Sequence, residues 1–142
     1  MSNVLVISTS LRAKSNSDIL TERLIAGATD AGHQVEHISL KGKKLGFCTG
    51  CLACQKTRKC VLKDDANIIA EKVLTADTLV FVTPIYYYEM SGQMKTLLDR
   101  LQPAVPLRLQ IPQCIYDVRR GGGRSPCAGA RWEWAERLGR VL

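Results

Sequence analysis

Val4-Leu5-Val6-Ile7 and Leu79-Val80-Phe81-Val82 are unbroken apolar runs rich in β-branched side chains. A strand with one wet face alternates apolar and polar residues, so an unbroken run needs cover on both faces, as in a parallel sheet between helices. Each run opens into a polar loop and then a helical pattern. After the first, Ser8 to Asn16 is polar; from Ser17, Leu20, Leu24, Ala28 and Ala31 recur at helical spacing, with Asp18 in the first turn and Gly32 as the stop. Val35 to Leu40 reads as a second strand, which completes a unit long enough for a parallel crossover. Ahead of the second run, Asp64 and Asp65 cap a helix carrying Ile68, Ile69, Val73 and Ala76. Beyond it, the loop Thr83 to Met90 leads to Ser91, the N-cap of a helix with Met94, Leu97, Leu98 and Leu101 on one face. Alternation of this kind specifies a three-layer α/β fold.

The 142 residues amount to one domain. No apolar run approaches the roughly 18 residues of a membrane helix, and Val4 to Ile7 lacks the flanks of a signal peptide, so a soluble cytoplasmic protein with no membrane partner is expected. The net charge is +7: thirteen basic against ten acidic residues over 1–102, and seven arginines against three acidic residues over 103–142. No basic stripe studded with aromatics runs through the first part, which argues against a nucleic-acid partner.

In a doubly wound sheet, ligands sit beyond the carboxyl ends of the strands, where both polar loops fall. The first, Ser8-Thr9-Ser10-Leu11-Arg12-Ala13-Lys14-Ser15-Asn16-Ser17, is full of hydroxyls and ends at a helix N-terminus, whose free N–H groups favour an anion. It has neither the glycines of a dinucleotide fingerprint nor a Gly-Lys-Ser/Thr element, which favours a monophosphate. An ordinary capped βα loop has the same composition. The second loop sets Tyr86, Tyr87 and Tyr88 at the same sheet edge, flat apolar surface with hydrogen-bonding tips that suits a planar ring or a protein interface.

Ser10-x-Arg12 with Ser15-Asn16-Ser17, then Thr83-Pro84-Ile85-Tyr86 and Met90-Ser91-Gly92-Gln93-Met94-Lys95-x-x-x-Asp99-Arg100, is similar to the NADPH-dependent FMN reductase family of the flavodoxin-like superfamily. The likeness covers about residues 1–101. It implies that Ser10, Arg12, Asn16 and Ser17 bind the FMN phosphate, while Pro84, Ile85, Tyr86 and Tyr87 lie against the ribityl chain and isoalloxazine. It implies an enzyme that takes hydride from NAD(P)H and passes electrons to a flavin, quinone or other small-molecule acceptor or redox protein. No protein acid or base is required for that chemistry, because the cofactor carries it. A homodimer or homotetramer is implied on the same basis. A flavodoxin-like electron carrier without NAD(P)H turnover is the rival, and a zinc-containing binding module a third possibility.

Four of the six cysteines, Cys48, Cys51, Cys54 and Cys60, fall within residues 48–60. A cytosolic setting keeps thiols reduced, so the cluster reads as metal or redox chemistry rather than a disulfide scaffold. Compact runs at intervals of three suit an iron-sulfur cluster, whereas zinc usually takes two separated pairs. Lys56, Arg58 and Lys59 favour ionised thiols. The spacing resembles iron-sulfur flavoproteins, in which a [4Fe-4S] cluster lies near FMN; free redox-active thiols and zinc remain open. His33 and His37 read as surface histidines, and Cys114 and Cys127 receive no role.

After Gln102 the composition changes: residues 103–142 have no lysine, seven arginines, both tryptophans and four of the five prolines. Ile115 to Val118 has the makings of a strand and Trp132 to Leu142 of a helix. The expected sheet is therefore flavodoxin-like with order 2-1-3, strands 4 and 5 missing or replaced by an atypical tail, and the third strand left as an exposed edge. The division expected is a truncated FMN-binding domain at 1–102 and an Arg/Pro/Gly-rich tail at 103–142. A shifted reading frame is the expected origin of that tail.

Overall fold

A computed structural model of the chain describes residues 1–103 and, as a backbone strand, 114–118. The elements run β1 (Asn3–Ser8), α1 (Asn16–Asp30), β2 (Gln34–Ser39), α2 (Ala53–Thr57), α3 (Asp65–Thr75), β3 (Thr78–Tyr86), β4 (Glu89–Met90), α4 (Gly92–Arg100) and β5 (Cys114–Val118). β1 pairs in parallel with β2 on one side and β3 on the other, with Leu5 opposite both Glu36 and Leu79. This is the flavodoxin-like order with β1 central. Among the described residues, no helix is long and apolar enough to cross a membrane.

The unbroken apolar runs divide by parity, as a pleat requires. Leu5, Ile7, Leu79 and Phe81 face one side of the sheet, where they pack with Ala66, Ile69 and Ala70 of α3 and Met94 and Leu97 of α4. Val4, Val6, Val80 and Val82 face the other, against Leu24 and Ile25 of α1. Two helical layers thus cover the sheet. The stripe on α1 is displaced from the expected one: Leu20 is exposed, and the inward face begins at Ser17 and Thr21, whose hydroxyl donates to the Ser17 carbonyl at 2.8 Å. That bond satisfies a buried hydroxyl without help from the sheet, which is why a polar residue is tolerated there.

Two further expectations change. β3 runs on to Tyr86 and turns back as a hairpin, Ile85 opposite Met90 and Tyr86 opposite Glu89, where an open loop was expected. β3 is also not left as an edge: β5 pairs with it in parallel, Val80 opposite Cys114 through Pro84 opposite Val118. Backbone N–H and C=O groups of a central strand must find partners on both sides, and residues 114–118 supply them. The helix expected at Trp132 to Leu142 lies outside the described residues.

Leu97 is fully buried between α4 and the sheet, whereas Ile68 on α3 is 58% exposed. Leu97→Ala should lower unfolding free energy by about 2–5 kcal/mol, and Ile68→Ala by no more than about 0.5 kcal/mol. Urea titration of both variants reads the difference.

Candidate functional site

Both polar segments leave the carboxyl ends of neighbouring strands, β1 and β3, and are joined by buried hydroxyls. Thr9 donates to Thr83 (Oγ1 to Oγ1, 3.0 Å), Ser91 donates to Thr9 (Oγ to Oγ1, 2.9 Å), and Thr83 Oγ1 accepts the Ser91 N–H at 3.1 Å. Thr83 in turn has Ser91 Oγ and the Pro84 carbonyl within 3.1 Å as acceptors. The Thr9 N–H donates to the Val82 carbonyl at 3.0 Å. All three hydroxyl residues are at most 1% exposed. Unpaired, such groups would each cost on the order of 1–3 kcal/mol, so the triangle fixes residues more than seventy positions apart. Ser91 also caps α4, accepting the Met94 N–H.

The first segment then presents donors. Ser10 is buried and its hydroxyl donates to the Arg12 carbonyl at 3.2 Å. Arg12 and Asn16 are exposed, and Ser17 is buried. Ser15 and Asp18 form a capping box: Ser15 Oγ takes the Asp18 N–H, and Asp18 takes the Ser15 N–H. The Ile19 N–H goes to the Ser15 carbonyl. The N–H groups of Asn16 and Ser17 are left at the helix start, where no intrahelical acceptor exists for them. Hydroxyl, guanidinium, amide and two backbone N–H groups without an intrahelical acceptor, beside the positive end of the helix dipole, make a donor set that fits a phosphate. His37 on β2 lies within 2.9 Å of the Ser8 hydroxyl; burial pulls its pKa below the ordinary value, partly offset by the charge of Asp18.

Pro84 and Ile85 are half-buried, but Tyr86, Tyr87 and Tyr88 are exposed, Tyr87 at 95%. Tyr87 and Tyr88 form the two-residue hairpin turn with φ of 48° and 65°. Positive φ at both central positions is what a type I′ turn demands, and it normally falls to Asn or Gly. Two tyrosines there carry strain of about 1–3 kcal/mol each. Their rings, edge to face with centroids 6.0 Å apart, stand in solvent rather than in the core. A planar ligand or protein surface laid on them would cover apolar area.

Cys48 and Cys51 are exposed and Cys54 and Cys60 half-buried, all with free thiols. They share one segment between β2 and α3, but among the described residues no group of three His, Cys, Asp or Glu side chains is close enough to hold a metal ion. The Cys51 thiol is pulled below its ordinary pKa by the Ala53 N–H and the Thr49 hydroxyl. Sequence reasoning missed what lies under this segment. Arg100, at the end of α4, is fully buried and forks onto Asp64, Nη1 to Oδ2 at 2.6 Å and Nη2 to Oδ1 at 2.8 Å. Burial raises the Asp64 carboxyl, but the Arg100 hydrogen bonds and the Gly46 N–H outweigh it and hold its pKa below 3.8. The Asp99-Arg100 pair in the sequence was the available signal, yet a helix-terminal arginine usually reads as a solvated one.

The family model for NADPH-dependent FMN reductase matches residues 2–120, further than the motifs reach. An iron-sulfur flavoprotein of Methanocaldococcus jannaschii is 35% identical over 100 residues, covering 70% of this chain and 52% of its own. One from Archaeoglobus fulgidus is 37% identical over 115 residues, covering 77% and 57%. The chain thus spans about half the length of the curated relatives it matches. The solved structure of RosB with a bound 8-demethyl-8-formylriboflavin-5′-phosphate shares the fold at a TM-score of 0.64 and 16% identity, over 87% of this chain and 68% of its own. The chain belongs to the NADPH-dependent FMN reductase family.

Thr83→Val strands the Ser91 N–H and the Thr9 hydroxyl, and should destabilise by about 1–3 kcal/mol in urea titration. Asp64 has a depressed folded pKa, so its contribution is complete above the unfolded carboxyl pKa and fades as pH falls through the folded value. Asp64→Asn should therefore be less stable than the parent at pH 6, and the gap should narrow as pH falls below 3.8. Urea midpoints from pH 6 to about 2.5 measure it.

Proposed function

We propose that this member of the NADPH-dependent FMN reductase family is an FMN-dependent NAD(P)H oxidoreductase that passes electrons to a flavin, quinone or similar acceptor. The observation that carries it is the hydroxyl triangle, which joins a phosphate-type loop and an aromatic hairpin at one sheet edge. Ser10, Arg12, Asn16 and Ser17 take the FMN phosphate, with the free amides at the start of α1 as fixed donors. Pro84, Ile85, Tyr86 and Tyr87 take the ribityl chain and ring. FMN, when bound, supplies the hydride and electron transfer; the protein holds, orients and partly covers it.

Cys48, Cys51, Cys54 and Cys60 are the proposed ligands of a [4Fe-4S] cluster. Support comes from the C-x2-C-x2-C spacing, an all-thiol donor set and the naming of several relatives as iron-sulfur flavoproteins. Free thiols across the segment suit a reducing, cytoplasmic setting. The partners proposed are a small-molecule acceptor or redox protein and further copies of the chain in a homodimer or homotetramer. The unit at 1–102 is proposed as the flavin-binding part, and 103–142 as an atypical tail that contributes β5.

Purified protein incubated anaerobically with FMN should show an oxidised-flavin spectrum and oxidise NAD(P)H with a quinone; no bound flavin would remove the reading. Arg12→Ala should weaken FMN by about tenfold, the worth of one exposed charge-assisted hydrogen bond, and leave riboflavin, which lacks the phosphate, nearly unaffected. Iron and sulfide quantitation on the same sample reads the cluster.

A further inference from the structure

The Arg100 guanidinium does more than pair with Asp64. Its Nη1 donates to the Gly46 carbonyl at 2.8 Å and its Nη2 to the Leu62 carbonyl at 3.3 Å, so one planar group grips both sides of the cysteine segment. Asp64 completes the closure from the other partner, accepting the Gly46 N–H at 2.8 Å and, as N-cap of α3, the Ala66 N–H at 3.2 Å. A second tie lies beside it: the Lys44 N–H donates to Asp65 Oδ2 at 2.7 Å, and the Asp65 N–H to the Lys44 carbonyl at 3.2 Å. Asn67 reaches back to the carbonyls of Cys60 and Leu62 at 3.2 and 2.8 Å. Gly46 sits close against this knot, where an added Cβ would meet Asp64 Oδ2 at 3.4 Å and Arg100 Nη1 at 3.6 Å.

The segment above the knot is otherwise thinly held. Cys48 to Leu52 is exposed, and α2 is a five-residue helix between left-handed residues Leu52 and Arg58. The Lys59–Glu71 pair is on the surface, where such pairs contribute little. Among the described residues, Arg100 Nε is buried with no hydrogen-bond partner. A fork that is fully buried, satisfied at both Nη atoms and spare at Nε is placed to organise the chain around it.

We propose that Arg100 is the positioning residue of the cysteine segment, clamping the feet of residues 46–64 together so that Cys48, Cys51, Cys54 and Cys60 are carried on one closed segment before any ligand binds, although in this structure no three of them stand close enough to hold a metal ion. This rests on the reading of those cysteines as a ligand set. Because Arg100 ends the helix that Ser91 begins, one element of about 13 Å carries both the flavin-side triangle and the cysteine-side clamp.

Limited trypsin digestion of the metal-free full chain tests it. Cleavage after Lys56, Arg58 and Lys59 reports opening of the segment, and cleavage after Lys72, inside α3, reports global unfolding. In Arg100→Met, segment cleavage should rise by about tenfold beyond any rise at Lys72. Arg100→Lys keeps a charge but not the fork, and should fall between parent and Arg100→Met. Glu71→Ala, which removes only the surface pair, should change nothing. Segment and Lys72 cleavage rising together, or neither rising, overturns the proposal. Should Arg100→Met not fold, hydrogen exchange on the unmodified protein decides: the Gly46 and Asp65 amides should exchange at least about a hundredfold more slowly than the exposed Thr49 and Gly50 amides, and equal rates overturn the clamp. Iron and sulfide content reads the ligand set separately, so a clamped segment without iron removes the cluster and leaves the clamp supported.

Discussion

Three hydroxyls decide whether this chain has a site at all. The loops after β1 and β3 carry the candidate site residues, and nothing in their composition obliges them to meet. Thr9, Thr83 and Ser91 remove that freedom by exchanging hydrogen bonds where water is excluded. The arrangement is directional in a way apolar packing is not. A slip of one residue in β3 would point the Thr83 side chain to the opposite face of the sheet and leave two buried groups unpaired. The pairing of β1 with β3 is thus pinned at the end where a ligand would sit, and the aromatic hairpin inherits its position from that point.

What could be read in the sequence was what local periodicity encodes. Val4 to Ile7 and Leu79 to Val82 announced buried parallel strands because both faces of the sheet needed apolar cover, and Met94, Leu97 and Leu101 announced the inward face of α4. Ser91 and Asp64 were legible as caps because a capping oxygen acts within three residues of itself. The stripe on α1 was right at Leu24 and wrong at Leu20, because Ser17 and Thr21 bury their hydroxyls locally while Leu20 stays exposed. Periodicity counts only apolar residues and cannot see that.

The elements it could not see are those made by partners distant in the chain. Thr9 and Ser91 looked like a loop residue and a helix cap; their bond spans 82 positions and leaves no mark in either neighbourhood. Arg100 looked like the end of an amphipathic helix. β5 was read only as a possible strand because its alternation is weak, and its role follows from β3 needing a second parallel neighbour. Of the candidate site residues, those at the start of α1 could be placed from the sequence, since a helix start and its cap are local features. Convergence of the thiols is not local, and spacing alone does not deliver it.

Arg100 and Asp64 also raise the question of why a charge pair rather than packed apolar side chains lies under the cysteine segment. Burying two charges costs several kcal/mol each, and a well-packed hydrophobic pair often matches or exceeds the stability of an ion pair. Net stability is therefore a poor reason for its presence. Geometry is a better one, because no apolar side chain can take the Gly46 and Leu62 carbonyls, accept the Gly46 N–H and cap α3 at once. Those groups belong to irregular backbone with no ladder to satisfy it, and each would be costly to bury unpaired. The fork thus secures a defined path of the backbone rather than net stability, and the strained Tyr87–Tyr88 turn makes a similar exchange on the other loop, giving up folding energy to fix where two exposed rings stand.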